Sequence, residues 1–214
     1  MTARVVADGP EGRDAAVATL EAGGIVAVPT DTVYGLAVAL STPGGIERVF
    51  QVKQRPPDRG IVLLLDEAAQ MADLATVTPA AEALAAACWP GGLTIVLEQR
   101  DGVALSSVLT GGASTIGVRV PAHDAPRALA RALGPLPTTS ANVSGSPELA
   151  NAAAILERLG DGIDLILDGG AAPGGVASTV VDASGPSVRI LRAGAIDAQR
   201  IADLLVAAGL PPLA

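Results

Sequence analysis

The chain has 214 residues, half of them hydrophobic, and a mean hydropathy of +0.47, so it can bury a full core and is not intrinsically disordered. Its net charge of −8 argues against a general nucleic-acid binder, which usually carries a basic face. Only Tyr34, Phe50 and Trp89 are aromatic, so the chain lacks the rows of rings on which many single-strand RNA binders stack bases.

Short runs rich in valine and isoleucine alternate with alanine- and leucine-rich segments of helical periodicity. In the first half of the chain, the helical pattern covers residues 14–22, 45–54, 67–74 and 79–88. The strand pattern covers residues 25–28, 61–65 and 93–97, with a further extended run at 33–40. Gly23-Gly24 and Pro56-Pro57 are expected to end the first two helices, and Thr78 with Pro79 to begin the fourth.

In the second half, strands are predicted over residues 115–120, 165–167, 179–181 and 188–191, and helices over 125–133, 150–159 and 197–208. Strands that alternate with helices indicate an α/β fold. Because strands follow one another directly at residues 25–40 and 179–191, we expect a mixed sheet rather than an all-parallel one. The Gly- and Pro-rich stretch 169–175 is typical of a loop, so a single domain over residues 1–214 is predicted.

The same pattern limits the cellular setting of the protein. The best uninterrupted apolar run, residues 61–65, is far shorter than the ~20 residues of a membrane-spanning helix. The N-terminus has no apolar segment of signal-peptide length. A single cysteine, Cys88, excludes an internal disulfide framework and a Cys-rich zinc site. We therefore expect a cytoplasmic protein that has no membrane contact.

Five polar segments interrupt the apolar pattern at strand ends and turns, where α/β sheets bind ligands. They lie at residues 29–35, 53–56, 115–119, 140–145 and 178–179, with Arg192 beyond. The densest basic cluster contains Lys53, Arg55 and Arg59, and Lys53 is the only lysine among thirteen arginines. A solvated complement to a helix C-terminus would explain the cluster. Pro56-Pro57, which would stiffen the loop, and the combination of a compact lysine with forked arginines instead favour a polyphosphate site.

Arg119 interrupts an apolar strand, and an arginine on a buried face needs an anionic partner. We interpret that partner as a ligand carboxylate or phosphate rather than a structural pair. Residues 30–32 and the pair Ser140 and Asn142 fit ordinary turns as well as ligand-binding loops. The sequence has no nucleophile–histidine–acid order, no P-loop and no cluster with metal-ligand spacing.

Taken in order, seven blocks resemble the threonylcarbamoyl-AMP synthase family, the YrdC-like domain. They are GGIVAVPTDTVYGL (23–36), VKQRP (52–56), WPGGLTIVL (89–97), TIGVRVP (115–121), TTSANVSG (138–145), STVVD (178–182) and ILRAG (190–194). Each block is weak alone, but seven in the family's order are specific, and together they span most of the chain.

The resemblance implies a fold, an activity and partners. The fold is a twisted mixed β-sheet with flanking helices around a deep concave cavity, in the short single-domain form. The activity joins L-threonine, bicarbonate and ATP into threonylcarbamoyl-AMP and releases pyrophosphate, with Mg²⁺ carried by the triphosphate and no metal site in the protein. A transferase complex would then move the threonylcarbamoyl group onto tRNA, and direct binding of tRNA or double-stranded RNA would be weak.

The resemblance also implies roles for individual residues. Lys53 and Arg55 match the family's K-x-R motif and are the implied catalytic pair. The residues implied to face ATP are Arg55, Arg59, Thr115, Asn142 and Arg192. Those implied to face threonine are Thr32, Arg119, Ser140 and Ser178. The chain departs from the pattern at Leu64, where some members have a histidine near threonine, and at Ala150, where some have a hydroxyl near ATP.

Two other functions stay open at this point. One is a double-stranded RNA-binding or ribosome-assembly module that uses the same cavity, although the acidic charge weighs against it. The other is the carbamoyl-transfer module of hydrogenase maturation proteins, which carry zinc-finger and acylphosphatase parts that this sequence lacks.

Overall fold

A computed structural model describes residues 2–56, 59–173 and 175–214 of the chain. Its strands are β1 (Arg4–Ala7), β2 (Val26–Val28), β3 (Gly35–Ala37), β4 (Val62–Leu64), β5 (Leu93–Glu98), β6 (Thr115–Arg119), β7 (Leu136–Ser140), β8 (Leu165–Asp168), β9 (Thr179–Asp182) and β10 (Arg189–Arg192). Its helices are α1 (Pro10–Glu21), α2 (Gly45–Lys53), α3 (Met71–Leu74), α4 (Pro79–Cys88), α5 (Ser107–Thr110), α6 (Asp124–Leu133), α7 (Ala152–Leu159) and α8 (Ala198–Ala207).

Within the described residues, the strands form one mixed sheet of ten, in the order β1-β8-β2-β3-β7-β4-β6-β5-β9-β10. The pairs β1–β8, β2–β8, β4–β6 and β5–β9 are parallel, and the other neighbours are antiparallel. The prediction of an α/β fold with a mixed sheet is confirmed. Its basis is confirmed as well, because β2–β3 and β9–β10 are antiparallel neighbours in sequence.

The helix predictions hold where the sequence has strong end signals. α4 has the predicted bounds, and the Thr78 hydroxyl accepts a hydrogen bond from Ala81 N at 3.2 Å, which satisfies a free amide of its first turn. The predicted helix 67–74 is a 3-10 turn (Ala68–Gln70) followed by α3. No helix in the described part of the chain is long and apolar enough to cross a membrane.

Two strands were absent from the sequence prediction. β7, Leu-Pro-Thr-Thr-Ser, lies between β3 and β4 in the sheet. Threonine is a good strand former, but a proline inside a run argues against a central strand. Here the Pro137 carbonyl still accepts a hydrogen bond from Val38 N at 3.2 Å, so the strand keeps its pairing. β1 is a short edge strand whose residues are mostly exposed, which leaves little apolar alternation to detect.

The two faces of the sheet are covered differently. On one face, α1 and α6 contact each other and pack over β2, β4, β7 and β8, around side chains such as Leu20, Leu129 and Leu165. A larger apolar core, which includes residues of α2, α4, α7 and α8, lies on the opposite face. Within the described residues, α1 and α6 leave β6, β5 and β9 uncovered on the first face, and a pocket opens there.

Candidate functional site

A pocket with a volume of about 380 Å³ has its floor on the uncovered face of the sheet. The strand registers place Gly117 beside both Val62 and Val96, and Thr94 beside Val180. Because side chains alternate along a strand, these residues share one face with Thr115 and Arg119. Ile116 and Val118 point to the opposite face, into the large core. The spacing T-x-G-x-R therefore places three functional positions of β6 in the pocket.

Gly117 sets the depth of the pocket floor. A Cβ atom at this position would lie 3.4 Å from Thr94 Cγ2 and 3.7 Å from Val96 Cγ2, which are ordinary contacts. The absence of a side chain is thus not required by packing, and it leaves space between the flanking strands. A glycine inside a strand weakens it, so this position favours an open pocket over strand stability.

The Arg119 guanidinium is buried and is held by three oxygens. Nε donates to Gly91 O at 2.9 Å, Nη1 donates to Thr32 Oγ1 at 2.9 Å, and Nη2 donates to Asp31 Oδ1 at 2.6 Å. Its side chain is 7 % exposed and that of Asp31 is 15 % exposed. The expectation that Arg119 has no charged partner within the chain is therefore wrong, because Asp31 supplies a neutralising carboxylate, whereas contact of Arg119 with a ligand stays a prediction. Burial lowers the pKa of Arg119, and Asp31 opposes that shift.

Thr32 connects this arginine to the loop after β2. The Thr30 hydroxyl donates its hydrogen to Val33 O at 2.6 Å. Thr32 is therefore the donor in the 3.1 Å hydrogen bond between the Thr30 and Thr32 hydroxyls. Thr32 Oγ1 also accepts from Arg119, so its hydrogen and one lone pair are used. A ligand would meet the Thr32 hydroxyl as an acceptor.

The W-P-G-G block supports Arg119 from the other side. The Gly91 carbonyl accepts from Arg119 Nε, and Gly91 N donates to Val120 O at 2.9 Å. A Cβ atom on Gly91 would lie 2.4 Å from the Cys88 carbonyl oxygen, so only glycine fits this close approach. The block therefore has a structural role that fixes the orientation of the buried guanidinium.

Ser178 and Arg192 form a second polar group at the edge of the pocket. Arg192 Nη2 donates to Ser178 O at 2.8 Å and to Ser178 Oγ at 3.1 Å. The Ser178 hydroxyl also lies 2.8 Å from Thr94 Oγ1. Burial lowers the pKa of Arg192, and the carboxylate of Glu148 opposes that shift. The residue implied for threonine and one implied for ATP are thus in direct contact.

Arg55 lies on the opposite rim. Its guanidinium donates to Gly60 O at 2.8 Å and to Thr139 Oγ1 at 3.3 Å, and it stacks 5.6 Å from the centre of the Phe50 ring. It also donates to the Arg59 carbonyl at 3.2 Å. These contacts tie the chain around residues 59–60 to β7, so the rim is braced rather than loose.

The position of Lys53 corrects the sequence interpretation of a lysine that contacts a triphosphate. Lys53 is 1 % exposed and is not among the residues that line the pocket. Its ammonium donates to Asn142 O at 2.8 Å, to Asn142 Oδ1 at 2.9 Å and to Ser140 O. All three of its hydrogens are thereby used. Burial and the nearby Arg55 cation lower the pKa of Lys53 to about 8, and Glu148 opposes this shift.

Lys53 instead shapes the S-x-N loop from behind the pocket wall. Its own carbonyl accepts a hydrogen bond from Ser144 N at 2.8 Å, so both ends of the residue hold the loop. Within the loop, the Ser140 hydroxyl donates to Asn142 Oδ1 at 2.7 Å. Lys53 is therefore a positioning residue for Ser140, which does line the pocket.

The pocket gathers most of the residues singled out in the sequence. Those that line it are Thr32, Arg55, Thr115, Arg119, Ser140, Ser178 and Arg192, together with Leu64. Lys53, Arg59, Asn142 and Ala150 are not among its lining residues. Asn142 is buried behind the wall, whereas Arg59 and Ala150 are exposed. Pro57, part of the predicted stiffening of this loop, lies outside the described residues.

Three residues of the site were missed by sequence reasoning. Asp31 was assigned only to turn chemistry, although a carboxylate in a Thr-Asp-Thr run is a candidate partner for a buried arginine. Thr94 could have been found by alternation, because it is a polar residue inside the apolar run 93–97. Glu148 lines the pocket from the loop after β7, and nothing in its local sequence marks it.

Known proteins are similar to this chain in sequence and in fold. The family model named for Sua5, YciO and YrdC, described as "Telomere recombination", matches residues 18–194. A threonylcarbamoyl-AMP synthase of Idiomarina loihiensis is 39 % identical over 162 residues, which cover 70 % of this chain and 83 % of that protein. A threonylcarbamoyl-AMP synthase of Pyrococcus abyssi is 36 % identical over 185 residues, which cover 86 % of this chain and 54 % of that protein.

The chain thus spans about half the length of the Pyrococcus protein. A crystal structure of P. abyssi Sua5 complexed with L-threonine superposes with a TM-score of 0.88 at 32 % identity. The superposition covers 100 % of this chain and 63 % of that one.

Proposed function

The chain belongs to the Sua5/YciO/YrdC family, and we propose that it is a threonylcarbamoyl-AMP synthase. It would convert L-threonine, bicarbonate and ATP into threonylcarbamoyl-AMP, pyrophosphate and water. The observation that carries the proposal is a single pocket in which Arg55, Arg119 and Arg192 converge with hydroxyl groups. The match to a threonine-bound Sua5 structure supports it.

Arg119 is the proposed anchor for the threonine carboxylate. A guanidinium has five N–H groups, and contacts with described residues use Nε, one N–H of Nη1 and one N–H of Nη2. The remaining N–H on each terminal nitrogen would suit a carboxylate, which can accept two parallel bonds from an arginine. Asp31 reduces the cost of keeping this charge buried before the substrate arrives.

The threonine hydroxyl has acceptors around it. Thr32 offers a lone pair, and Ser140 uses its hydrogen on Asn142, so it too is left as an acceptor. Ser178 completes the proposed threonine side of the pocket. For ATP, we propose Arg55, Thr115 and Arg192 as direct contacts. Arg59 and Asn142 remain proposed for the same side, Arg59 through its exposed side chain and Asn142 through the loop it shapes.

The proposed reaction needs charge neutralisation more than a protein nucleophile. The threonine amine attacks the carbon of bicarbonate and water leaves, which forms a carbamate. An oxygen of the carbamate attacks the α-phosphorus of ATP, and the bond to pyrophosphate breaks. Carbamate and triphosphate are both anions, so fixed guanidinium groups reduce their repulsion and stabilise charge on the departing pyrophosphate. Holding both substrates in one pocket supplies orientation.

Magnesium is proposed to enter with ATP. Among the described residues, no group of three or more histidine, cysteine, aspartate or glutamate side chains could hold a metal ion. Mg²⁺ commonly binds through substrate phosphates and only one or two carboxylates, so this donor set fits a metal carried by the triphosphate. When bound, it would neutralise phosphate charge.

The product is a reactive mixed anhydride, so we propose that it passes to a transferase complex that modifies tRNA. We propose a cytoplasmic location for this activity, as expected from the sequence. The alternative of a double-stranded RNA-binding or ribosome-assembly module is not favoured, given the net charge of −8. If the chain were such a module, RNA binding would show a steep dependence on salt.

The direct test is to incubate the purified protein with ATP, bicarbonate and labelled threonine. We expect threonylcarbamoyl-AMP by mass spectrometry and one pyrophosphate for each product molecule, with neither formed when bicarbonate is omitted. Pyrophosphate release without the threonylcarbamoyl product would contradict the proposed activity.

Threonine should be preferred over valine by about a hundredfold or more in pyrophosphate release. Valine has the same shape but lacks the hydroxyl that the Thr32 and Ser140 acceptors require, and a site built for a hydroxyl strongly rejects analogues without one. With serine, which lacks only a methyl group, the rate of pyrophosphate release should be roughly tenfold to a hundredfold lower than with threonine. Equal rates of pyrophosphate release with valine and threonine would show that the pocket does not recognise the threonine hydroxyl.

Replacing Gly117 with valine should block substrate binding without unfolding the protein. The new side chain would project from the pocket floor, and valine suits a strand. We expect affinity for threonine or ATP to fall at least about tenfold, and the unfolding free energy to change by less than ~1 kcal/mol. Ile116→Val is the matched control, because it changes the core face of the same strand. Unchanged affinity for both substrates in Gly117→Val would mean that they do not occupy this floor.

A further inference from the structure

Glu148 is the single carboxylate among the described residues that line the pocket. It lies in the loop between β7 and α7 and is exposed. Within the described part of the chain, its carboxylate makes no hydrogen bond or ion pair, unlike Asp31, which is held by Arg119. Glu148 is therefore available to a ligand. No contact with the described residues accounts for a charged side chain at this position.

The charges around Glu148 locate its carboxylate near the nucleotide side of the pocket. It is close enough to act electrostatically on Arg192 and Lys53, whose pKa values it raises against the effect of burial. Arg192 is a proposed ATP contact. A carboxylate beside a polyphosphate repels it, unless a cation lies between the two anions. Two arginines of the pocket, Arg55 and Arg192, are proposed to attract the polyphosphate, so a negative side chain in the same pocket needs a reason.

We propose that Glu148 is a ligand, directly or through a water molecule, of the magnesium ion that enters with ATP. The inference rests on the proposed function, since it requires an ATP site. Mg²⁺ prefers oxygen ligands, keeps several waters and is often held by one carboxylate together with substrate phosphates. A single exposed carboxylate that makes no hydrogen bond or ion pair with the described residues meets that requirement, and the pocket needs no dedicated metal cage.

The test is calorimetric titration of ATP into wild type and Glu148→Gln, each with saturating Mg²⁺ and with EDTA. With Mg²⁺, the variant should bind ATP about tenfold more weakly than wild type. In EDTA the order should reverse, because the amide no longer repels the triphosphate. Mn²⁺–ATP should show a change in its electron paramagnetic resonance spectrum on binding wild type that is reduced in the variant. Glu157→Gln, an exposed glutamate on α7 outside the pocket, is the matched control.

The outcomes separate the possible roles. If Glu148→Gln binds ATP like wild type with and without Mg²⁺, the inference is overturned. If Glu148→Gln binds ATP and adenosine more weakly than wild type by the same factor, both with Mg²⁺ and with EDTA, Glu148 instead binds the ribose or the base. That result also overturns the inference. If wild type binds no ATP under either condition, the proposed function fails and the inference fails with it. ATP binding without the reversal therefore rejects the metal role alone.

Discussion

Replacing Lys53 with methionine is expected to lower the unfolding free energy by about 2–4 kcal/mol and to abolish turnover. Methionine fills much of the space of the lysine stem but leaves Ser140 O, Asn142 O and Asn142 Oδ1 without the ammonium. A buried acceptor without its partner costs ~1–3 kcal/mol, and two of these acceptors keep another donor. For a chain of this size, the melting temperature should fall by roughly 5–15 °C. Turnover is lost because Ser140 is no longer held at the pocket wall.

Val49→Ala is the matched control for Lys53→Met. Val49 is buried on the same helix and does not contact the S-x-N loop through a hydrogen bond, so its truncation should destabilise the protein by a comparable ~1–3 kcal/mol. Below its melting temperature, Val49→Ala should keep near-normal ATP and threonine affinity. If Lys53→Met melts like wild type but has no turnover, the result would instead support a direct contact between Lys53 and the triphosphate.

Replacing Arg119 with glutamine is expected to weaken threonine binding by about 10- to 150-fold and to change ATP binding little. A hydrogen bond to a charged group is worth ~1.5–3 kcal/mol, which corresponds to that range of affinity. The same change leaves the Asp31 carboxylate, which is 15 % exposed, without its partner. We therefore also expect a loss of about 2–4 kcal/mol in unfolding free energy, because an unpaired carboxylate that is mostly buried is costly. Calorimetry and chemical denaturation measure the two effects.

A second substitution separates the two roles of Arg119. In the double variant Arg119→Gln with Asp31→Asn, no carboxylate is left unpaired, so most of the lost stability should return. Threonine affinity should stay low, because the guanidinium is still missing. Recovery of threonine binding in the double variant would show that Arg119 acts only by keeping Asp31 in place.

Much of the fold could be predicted because its signals are local. The cap Thr78 with Pro79 determines where α4 begins, and the runs of valine and isoleucine determine most strands. The mixed sheet followed from strands that adjoin in sequence, at β2–β3 and β9–β10. β7 was missed because its stability comes from neighbours on both sides rather than from its own proline- and threonine-rich sequence.

The sequence also identified most residues of the site, but it did not determine their roles. The sequence by itself determined that Lys53, Arg119 and the S-x-N motif are chemically unusual in an apolar chain. Only the tertiary structure decided that Lys53 donates to a loop 87 residues away and that Arg119 pairs with Asp31, 88 residues away. The free energy of a buried charge depends on the groups folded around it, and those groups come from distant strands and loops. A side chain's charge is a property of the sequence, whereas its partner is a property of the fold.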